Sequence, residues 1–240
     1  MTGGSGDLGS AMAVALAREG MSVAVSYYGE RERAEAVVAE IEQAGSRGWA
    51  VQLDQSEVDE PDRVVDATVG ELGRLDVLVN NAASNFGVPF ADLDTLTAEI
   101  WDGIYETNLR GPYLLARAAA RPMRAQGEGR IVNISSAGGV HPISSSIAYS
   151  CTKAAVMHLT RCLAVALAPD VLVNCIAPGL VENTRMSNRI PAPSIKKALG
   201  SAVLERGATA TDVADEVVPF CRTNSATGQV LLVDAGLFVH

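Results

Sequence analysis

The sequence predicts an α/β fold: a doubly wound parallel sheet of Rossmann-like type, in a single domain spanning 1–240. Three observations carry that prediction. Short apolar runs alternate with helical patterns along the whole chain. Each run is β-branched or leucine-rich and apolar on both faces, as a strand buried inside a parallel sheet must be. A glycine-rich turn at the amino end leads straight into a helix, and regular alternation of strand and helix implies right-handed βαβ units.

Taken in order, the glycine turn opens a helix over Leu8–Glu19, followed by a strand over Met21–Tyr27 and a helix over Glu30–Ala44. The pattern repeats as strand Gly48–Leu53, helix Glu60–Leu72 and strand Leu75–Asn80. Two helices, Thr97–Thr107 and Leu109–Arg124, precede the strand Arg130–Ser135. The helix Ile147–Leu167, the strand Val171–Cys175, the helix Thr211–Cys221 and the strand Gln229–Val233 complete the series. In such sheets ligands lie at the carboxyl ends of the strands, where the polar and glycine-rich residues of this chain collect.

No strand precedes the opening Met1-Thr2-Gly3-Gly4-Ser5-Gly6-Asp7-Leu8-Gly9. A missing first, central strand would remove about six buried side chains at ~1.5–3 kcal/mol each, a loss comparable with the ~5–15 kcal/mol stability of a whole domain. The expectation is therefore that the natural chain starts upstream or that the cofactor half is damaged.

Composition excludes several function classes. With 48% apolar and 5% aromatic residues the chain suits a helix-covered sheet. No apolar run approaches the ~20 residues of a membrane span, and no signal pattern opens the chain. A net charge of −9 argues against nucleic acid and anionic membranes as partners, which leaves a small-molecule substrate and a cytoplasmic setting. Cys151, Cys162, Cys175 and Cys221 lack metal-ligand spacing and read as small buried residues in a reducing compartment, and the three histidines form no metal pattern.

The chemistry centres on Tyr149-Ser150-Cys151-Thr152-Lys153. The chain has five tyrosines and, read from the sequence, three lysines, so a chance pair at this spacing has odds of about 0.06. Positions four apart share a helix face, so phenol and ammonium point at one spot. A neighbouring cation lowers a phenol pKa from ~10, fitting the tyrosine for acid–base work on an alcohol or ketone oxygen. At the amino end, Gly4, Gly6 and Gly9 fit G-x-G-x-x-G, which presents backbone N–H groups and a helix N-terminus to a diphosphate.

Together these motifs resemble the short-chain dehydrogenase/reductase family, in its short single-domain branch, over nearly the whole chain. In the cofactor turn Thr2, Gly3 and Gly9 match, with Asp7 at the middle glycine's place and Ser5, Gly6 and Leu8 between. Asn80-Asn81-Ala82-Ala83 resembles the family's Asn-Asn-Ala-Gly, with Ala83 replacing glycine. Asp54 matches the residue that touches adenine, Asn108 the catalytic asparagine, and Ser136, thirteen residues before Tyr149, the catalytic serine. Pro178-Gly179 matches the cofactor-side turn, with Thr184 displaced by one residue, and Thr227-Gly228-Gln229-Val230 with Val233-Asp234 the closing strand.

The resemblance implies roles. Tyr149 exchanges a proton with the substrate oxygen, Lys153 lowers the tyrosine pKa and binds the nicotinamide ribose, Ser136 holds the carbonyl, and Asn108 anchors a water on a proton path. It also implies a substrate wall from 84–90 and an apolar flap over 181–204. Gly6 stands where NADP-using members carry a basic residue. With no acid after Ser26-Tyr27-Tyr28-Gly29, and with Arg31 and Arg33 close behind, NADP(H) is favoured over NAD(H). The chain is similar to 3-oxoacyl carrier-protein reductases, but Gln126-Gly127 and Ala168-Pro169-Asp170 offer no cation to an acidic carrier, which favours a small ketone or secondary alcohol. The resemblance further implies a homotetramer or homodimer, paired through the helices at 109–124 and 147–167, whose alanines allow close approach. Two alternatives stay open: an NAD-dependent dehydratase or epimerase, whose turn Thr2, Gly3, Gly6 and Gly9 also fit, and a catalytically silent subunit or binding protein.

Overall fold

Strands buried in a parallel sheet need a neighbour on each edge, and the strand pairing obeys this with one break. The structure is a computed structural model that describes residues 1–239. Strand β1 (Val23–Tyr27) pairs with β2 (Gly48–Gln52), while β3 (Val77–Asn80), β4 (Gly129–Ile134), β5 (Val171–Pro178) and β6 (Val230–Val233) pair in that order, every ladder parallel. The amino-terminal residues lie between β1 and β3. The Met1 ammonium donates to the Ala24 carbonyl at 3.0 Å, and the Ser26 and Gly4 N–H groups donate to Met1 O and Ser26 O at 3.0 and 2.9 Å. On the other side Thr2 N–H donates to Val79 O at 3.0 Å. Residues 1–4 thus take the carboxyl end of a central strand. Beside Met1 the two ladders part around a cavity of about 500 Å³, lined by Val23 and Ala24 on one side and Val77 and Val79 on the other.

Period-2 alternation sends neighbouring strand residues to opposite layers. Val79 and Val132 join Met12, Ile41 and Val217 under α1 (Asp7–Arg18), α2 (Arg31–Gln43) and α8 (Ala210–Arg222). Leu78 and Ile131 join Val65, Leu115, Met123 and Leu163 under α3 (Glu60–Leu72), α5 (Gly111–Gln126) and α6 (Ile147–Leu167). This places helices on both faces and the change of strand order beside the glycine turn.

The expected elements are present with shifted ends. β1 starts late because Met21 N–H closes the end of α1 on Leu16 O at 3.2 Å. β3 starts at Val77 because the Gln126 side chain, not a neighbouring strand, takes both backbone groups of Leu75. β5 runs three residues further than expected, since Pro178 stays in register with Val233. The two helices expected on either side of Asn108 are instead continuous: α4 (Ala98–Tyr105) passes through a π-turn at Glu106–Arg110 into α5. The segment after β5 carries a further helix, α7 (Ala192–Ser201). Cys175 and Cys221 are buried as expected, but Cys151 and Cys162 are exposed on α6, because their positions fall on the face away from the sheet. Among the described residues no helix is long and apolar enough to cross a membrane, and no cluster of His, Cys, Asp or Glu could hold a metal.

Candidate active site

The end of β4 and the first turns of α6 are fastened together by hydrogen bonds and by glycines that let their backbones touch. Ser146 caps α6, its hydroxyl accepting the Tyr149 N–H at 3.2 Å. Ser135, buried at the end of β4, donates its hydroxyl to Lys153 O at 2.6 Å, and Lys153 Nζ donates to Ile134 O at 2.9 Å. The Ser150 hydroxyl bonds to Gly138 O. A β-carbon on Gly139 would lie 2.6 Å from Ala154 N, so only glycine allows this approach. The neighbouring Ser136 therefore faces Tyr149: its side chain hydrogen-bonds the phenol and also accepts the Gly138 N–H at 3.1 Å. Tyr149 and Lys153 are both buried, with Nζ 5.5 Å from the centre of the tyrosine ring. The three residues expected to act together do converge.

Their electrostatics differ from expectation. The Tyr149 pKa is raised, not lowered: burial pushes it up to about 12, against a smaller lowering by the Ser136 hydrogen bond. Burial brings Lys153 down to about 8. Desolvation of the buried phenol outweighs the charge of Lys153, whose Nζ also donates to the Ile134 carbonyl. The resting site therefore holds a protonated tyrosine beside a lysine that loses its charge near pH 8.

Asn108 lies inside the π-turn, a local irregularity often found at functional sites. Its amide donates to Ser84 O at 2.9 Å and more weakly to Thr152 Oγ1 at 3.4 Å, and its carbonyl accepts the Ser84 N–H at 2.7 Å. The side chain expected to anchor a water thus clamps the loop after β3 onto α6. Sequence reasoning missed two further residues. Gln55 is buried and donates to Ala82 O at 3.0 Å and Thr107 O at 2.7 Å, tying the loop after β3 to the π-turn. Asn133 accepts from Asn80 at 2.9 Å and donates to Thr160 Oγ1 at 2.9 Å, forming a buried polar ladder across β3, β4 and α6. The polar residues within the apolar runs Leu75–Asn80 and Arg130–Ser135 were the signal for that ladder; Gln55 left none.

The glycine turn is built from the same loop. Thr2 Oγ1 accepts the N–H groups of Asn81 and Ala82 at 2.9 and 3.0 Å, and the Asn81 amide donates to Thr2 O and Gly3 O at 2.9 and 3.2 Å. Gly3 has φ +59°, and a β-carbon on Gly9 would lie 2.2 Å from Gly3 O, so the turn closes only with glycine at both places. Gly6 supplies no capping side chain to α1, and a β-carbon there would meet only Gly3 O, at 3.3 Å. Open backbone and an uncapped helix start fit a diphosphate. Ser5 is buried in the turn, and Leu8 packs against the core. Asp7 is drawn aside by Arg33 at 3.2 Å and by the Arg185 N–H at 2.6 Å. Asp54 follows β2 and accepts the Ser56 N–H at 3.0 Å. Gly179 sits against Asp234, where a β-carbon would approach to 2.7 Å, with its N–H on Val233 O at 2.9 Å; this fixes the turn after Pro178. Buried Thr184 folds onto Ser187 beyond it.

The family model of short chain dehydrogenases matches residues 1–194. The chain belongs to the short-chain dehydrogenase family. It is 38% identical over 98% of its length to a ketoacyl reductase named for the granaticin polyketide synthase of Streptomyces violaceoruber, covering 94% of that protein. It is 34% identical over its full length to the 3-oxoacyl-[acyl-carrier-protein] reductase of Staphylococcus aureus, covering 97% of that protein. A short chain dehydrogenase from Burkholderia cenocepacia, solved in complex with NADP, superposes with a TM-score of 0.90 at 34% identity, covering 98% of this chain and 95% of that one. An NAD+-bound xylitol dehydrogenase superposes with a TM-score of 0.92 at 26% identity, covering 98% and 96%. This short-chain dehydrogenase is an oxidoreductase that transfers a hydride between a nicotinamide cofactor and a ketone or secondary alcohol.

The polar ladder supports the site from below. Asn133→Ala leaves Asn80 and Thr160 without their partner in a buried setting and is expected to cost about 1–3 kcal/mol of stability, measured by urea denaturation. A loss below ~0.5 kcal/mol would contradict this role.

Proposed function

We propose that this short-chain dehydrogenase reduces a small, freely diffusing ketone with NADPH, Tyr149 being the proton donor. The observation that carries the reading is the convergence of Ser136, Tyr149 and Lys153 around one point, with the phenol protonated at neutral pH. Thr2, Gly3, Ser5, Gly6, Leu8, Gly9, Asp54, Asn81, Ala82, Pro178 and Gly179 would hold the cofactor, together with Tyr149 and Lys153. The cofactor supplies the hydride, and the protein supplies placement and electrostatics. Ser136 orients the carbonyl and steadies the negative charge that builds on its oxygen. Tyr149 then delivers its proton to that oxygen. Lys153 supports the tyrosine through the field of its ammonium, and Asn108 keeps the loop after β3 seated on α6 beneath the substrate.

Preference for NADP is supported by Arg31 and Arg33 at the start of α2 and by the absence of an acid among Tyr27, Tyr28 and Gly29. Glu30 and Glu35 partly neutralise those arginines, so the preference is one of degree. The substrate would lie under the flap at 181–204, whose Met186 and Ile190 are exposed apolar residues. The absence of a cation at Gln126-Gly127 and Ala168-Pro169-Asp170 favours a free ketone over a carrier-bound chain. Association through α5 and α6 into a homodimer or homotetramer is supported by exposed Tyr113 and Val165 on those helices. The whole chain then acts as one cytoplasmic dinucleotide-binding and catalytic domain.

Tyr149→Phe is expected to lower the rate of NADPH-dependent ketone reduction by about 10²–10⁴-fold, read at 340 nm. Retained turnover sinks the assignment, and an NADH preference overturns the cofactor reading. The reduction rate is expected to decline above pH 8, where Lys153 loses its proton, while Tyr149 stays protonated until about 12. A decline that begins only above pH 10 would show that the Lys153 charge does not matter.

A further inference from the structure

Four charged side chains form a ring that joins three segments distant in sequence. Asp7, the first residue of α1, stands where the family's turn has a glycine. Its Oδ2 accepts the Arg185 backbone N–H at 2.6 Å, and its Oδ1 accepts Arg33 Nη2 at 3.2 Å and lies 3.6 Å from Arg185 Nε. Glu30 closes the ring, accepting from Arg185 Nη1 at 3.0 and 3.2 Å and from Arg33 Nη1 at 3.4 Å. The ring thereby connects the glycine turn, the loop between β1 and α2, and the leading edge of the segment at 181–204.

The mechanics of that segment give the ring a role. Its base is fixed: Glu182 N–H donates to Ala208 O at 2.8 Å, and Val181 bridges Ala208. Its far end is fixed too, Val203 and Leu204 donating to Gly236 O and Ala235 O at 3.2 and 3.1 Å. Thr184 and Ser187 bond reciprocally, N–H to hydroxyl, at 3.0 and 3.1 Å, so the turn that carries Arg185 moves as a unit. A single half-exposed ion pair contributes only about 0–1 kcal/mol. A backbone donor combined with a closed ring of two acids and two arginines is a firmer tether, because loss of one contact leaves the others in place.

We propose that Asp7 is a positioning residue: it latches the flap onto the cofactor turn, and a dinucleotide must compete with it for Arg185 and Arg33. This rests on the reading of 181–204 as a flap and of the glycine turn as the diphosphate site. A diphosphate at the start of α1 lies beside the Asp7 carboxylate and repels it, while attracting the same two guanidinium groups. Asp7 therefore holds the flap closed in the free protein, weakens dinucleotide binding, and makes binding release and re-pair the flap. A glycine at position 7 could do none of these.

The test uses the full-length protein and the variants Asp7→Gly, Arg185→Gln and the double variant. Tryptic cleavage after Arg189, Lys196 or Lys197, followed by mass spectrometry without cofactor, reads the tether. Calorimetric titration with NADP+ reads the coupling, and thermal melting verifies that each variant folds. Asp7→Gly and Arg185→Gln are each expected to speed cleavage about 5-fold or more, and the double variant to be no faster than either single. Asp7→Gly is expected to bind NADP+ about 5–20-fold tighter, whereas Arg185→Gln, which removes a cation, is not. Wild-type cleavage rates in both single variants overturn the latch, as do effects that multiply in the double variant. Faster cleavage with unchanged NADP+ affinity in Asp7→Gly overturns the competition. Failure of the wild-type protein to bind NADP+ would sink the cofactor reading itself, which the cleavage experiment does not use.

Discussion

The fastening of β4 to α6 is the constraint on which the site depends. Ser135 and Lys153 bond each other's elements in both directions, hydroxyl to helix carbonyl and ammonium to strand carbonyl. Each of these bonds is local and modest. Their joint effect is to fix the rotation of α6 about its own axis, and that rotation decides whether Tyr149 faces Ser136. Gly139 sets the distance, since any β-carbon there would push the helix away. The relative placement of Ser136, Tyr149 and Lys153 is thus a by-product of one strand–helix contact.

A second set of contacts carries this rigidity to the cofactor side. Thr2 and Asn81 bind the glycine turn to the loop after β3, Gln55 binds that loop to the π-turn, and Asn108 binds the loop to α6. The route from the first residues to Thr152 passes through three side-chain amides, of which Asn108 both donates and accepts while Gln55 only donates, its buried Oε1 having no hydrogen-bond partner. Residues 1–4 bridge two ladders that otherwise part around a cavity.

Much of this was legible in the sequence, because local signals agreed with the tertiary structure. The helix Ile147–Leu167 was placed to the residue, and Tyr149 and Lys153 stood out by their spacing, Ser136 by the family resemblance. What stayed hidden depended on distant partners. The π-turn at Asn108 reads in sequence as a break between two helices; packing of Gly111 against the Gln55 backbone keeps the helix continuous instead. Gln55 looks like any loop residue until Ala82 and Thr107 are brought beside it. Exposure of Cys151 and Cys162 follows from which face of α6 meets the sheet, and composition carries no such information. Asp7 was a mismatch to a pattern, and it became a partner only once Arg33 and Arg185 arrived from other parts of the chain.

The direction of the tyrosine shift shows what spacing can and cannot establish. Two residues four apart on a helix share a face, but the form a buried phenol takes depends on whether a neighbouring charge outweighs its desolvation. Lys153 Nζ donates to Ile134 O, and burial dominates the pKa of both groups, raising that of Tyr149 and lowering that of Lys153. Each shift favours the neutral form of its side chain. For the phenol the neutral form is the protonated one, which is what reduction of a carbonyl requires of an acid. A site that made the phenolate cheap at rest would suit alcohol oxidation instead. The buried, protonated phenol of Tyr149 beside Ser136 is therefore the electrostatic ground of the acid role proposed for it.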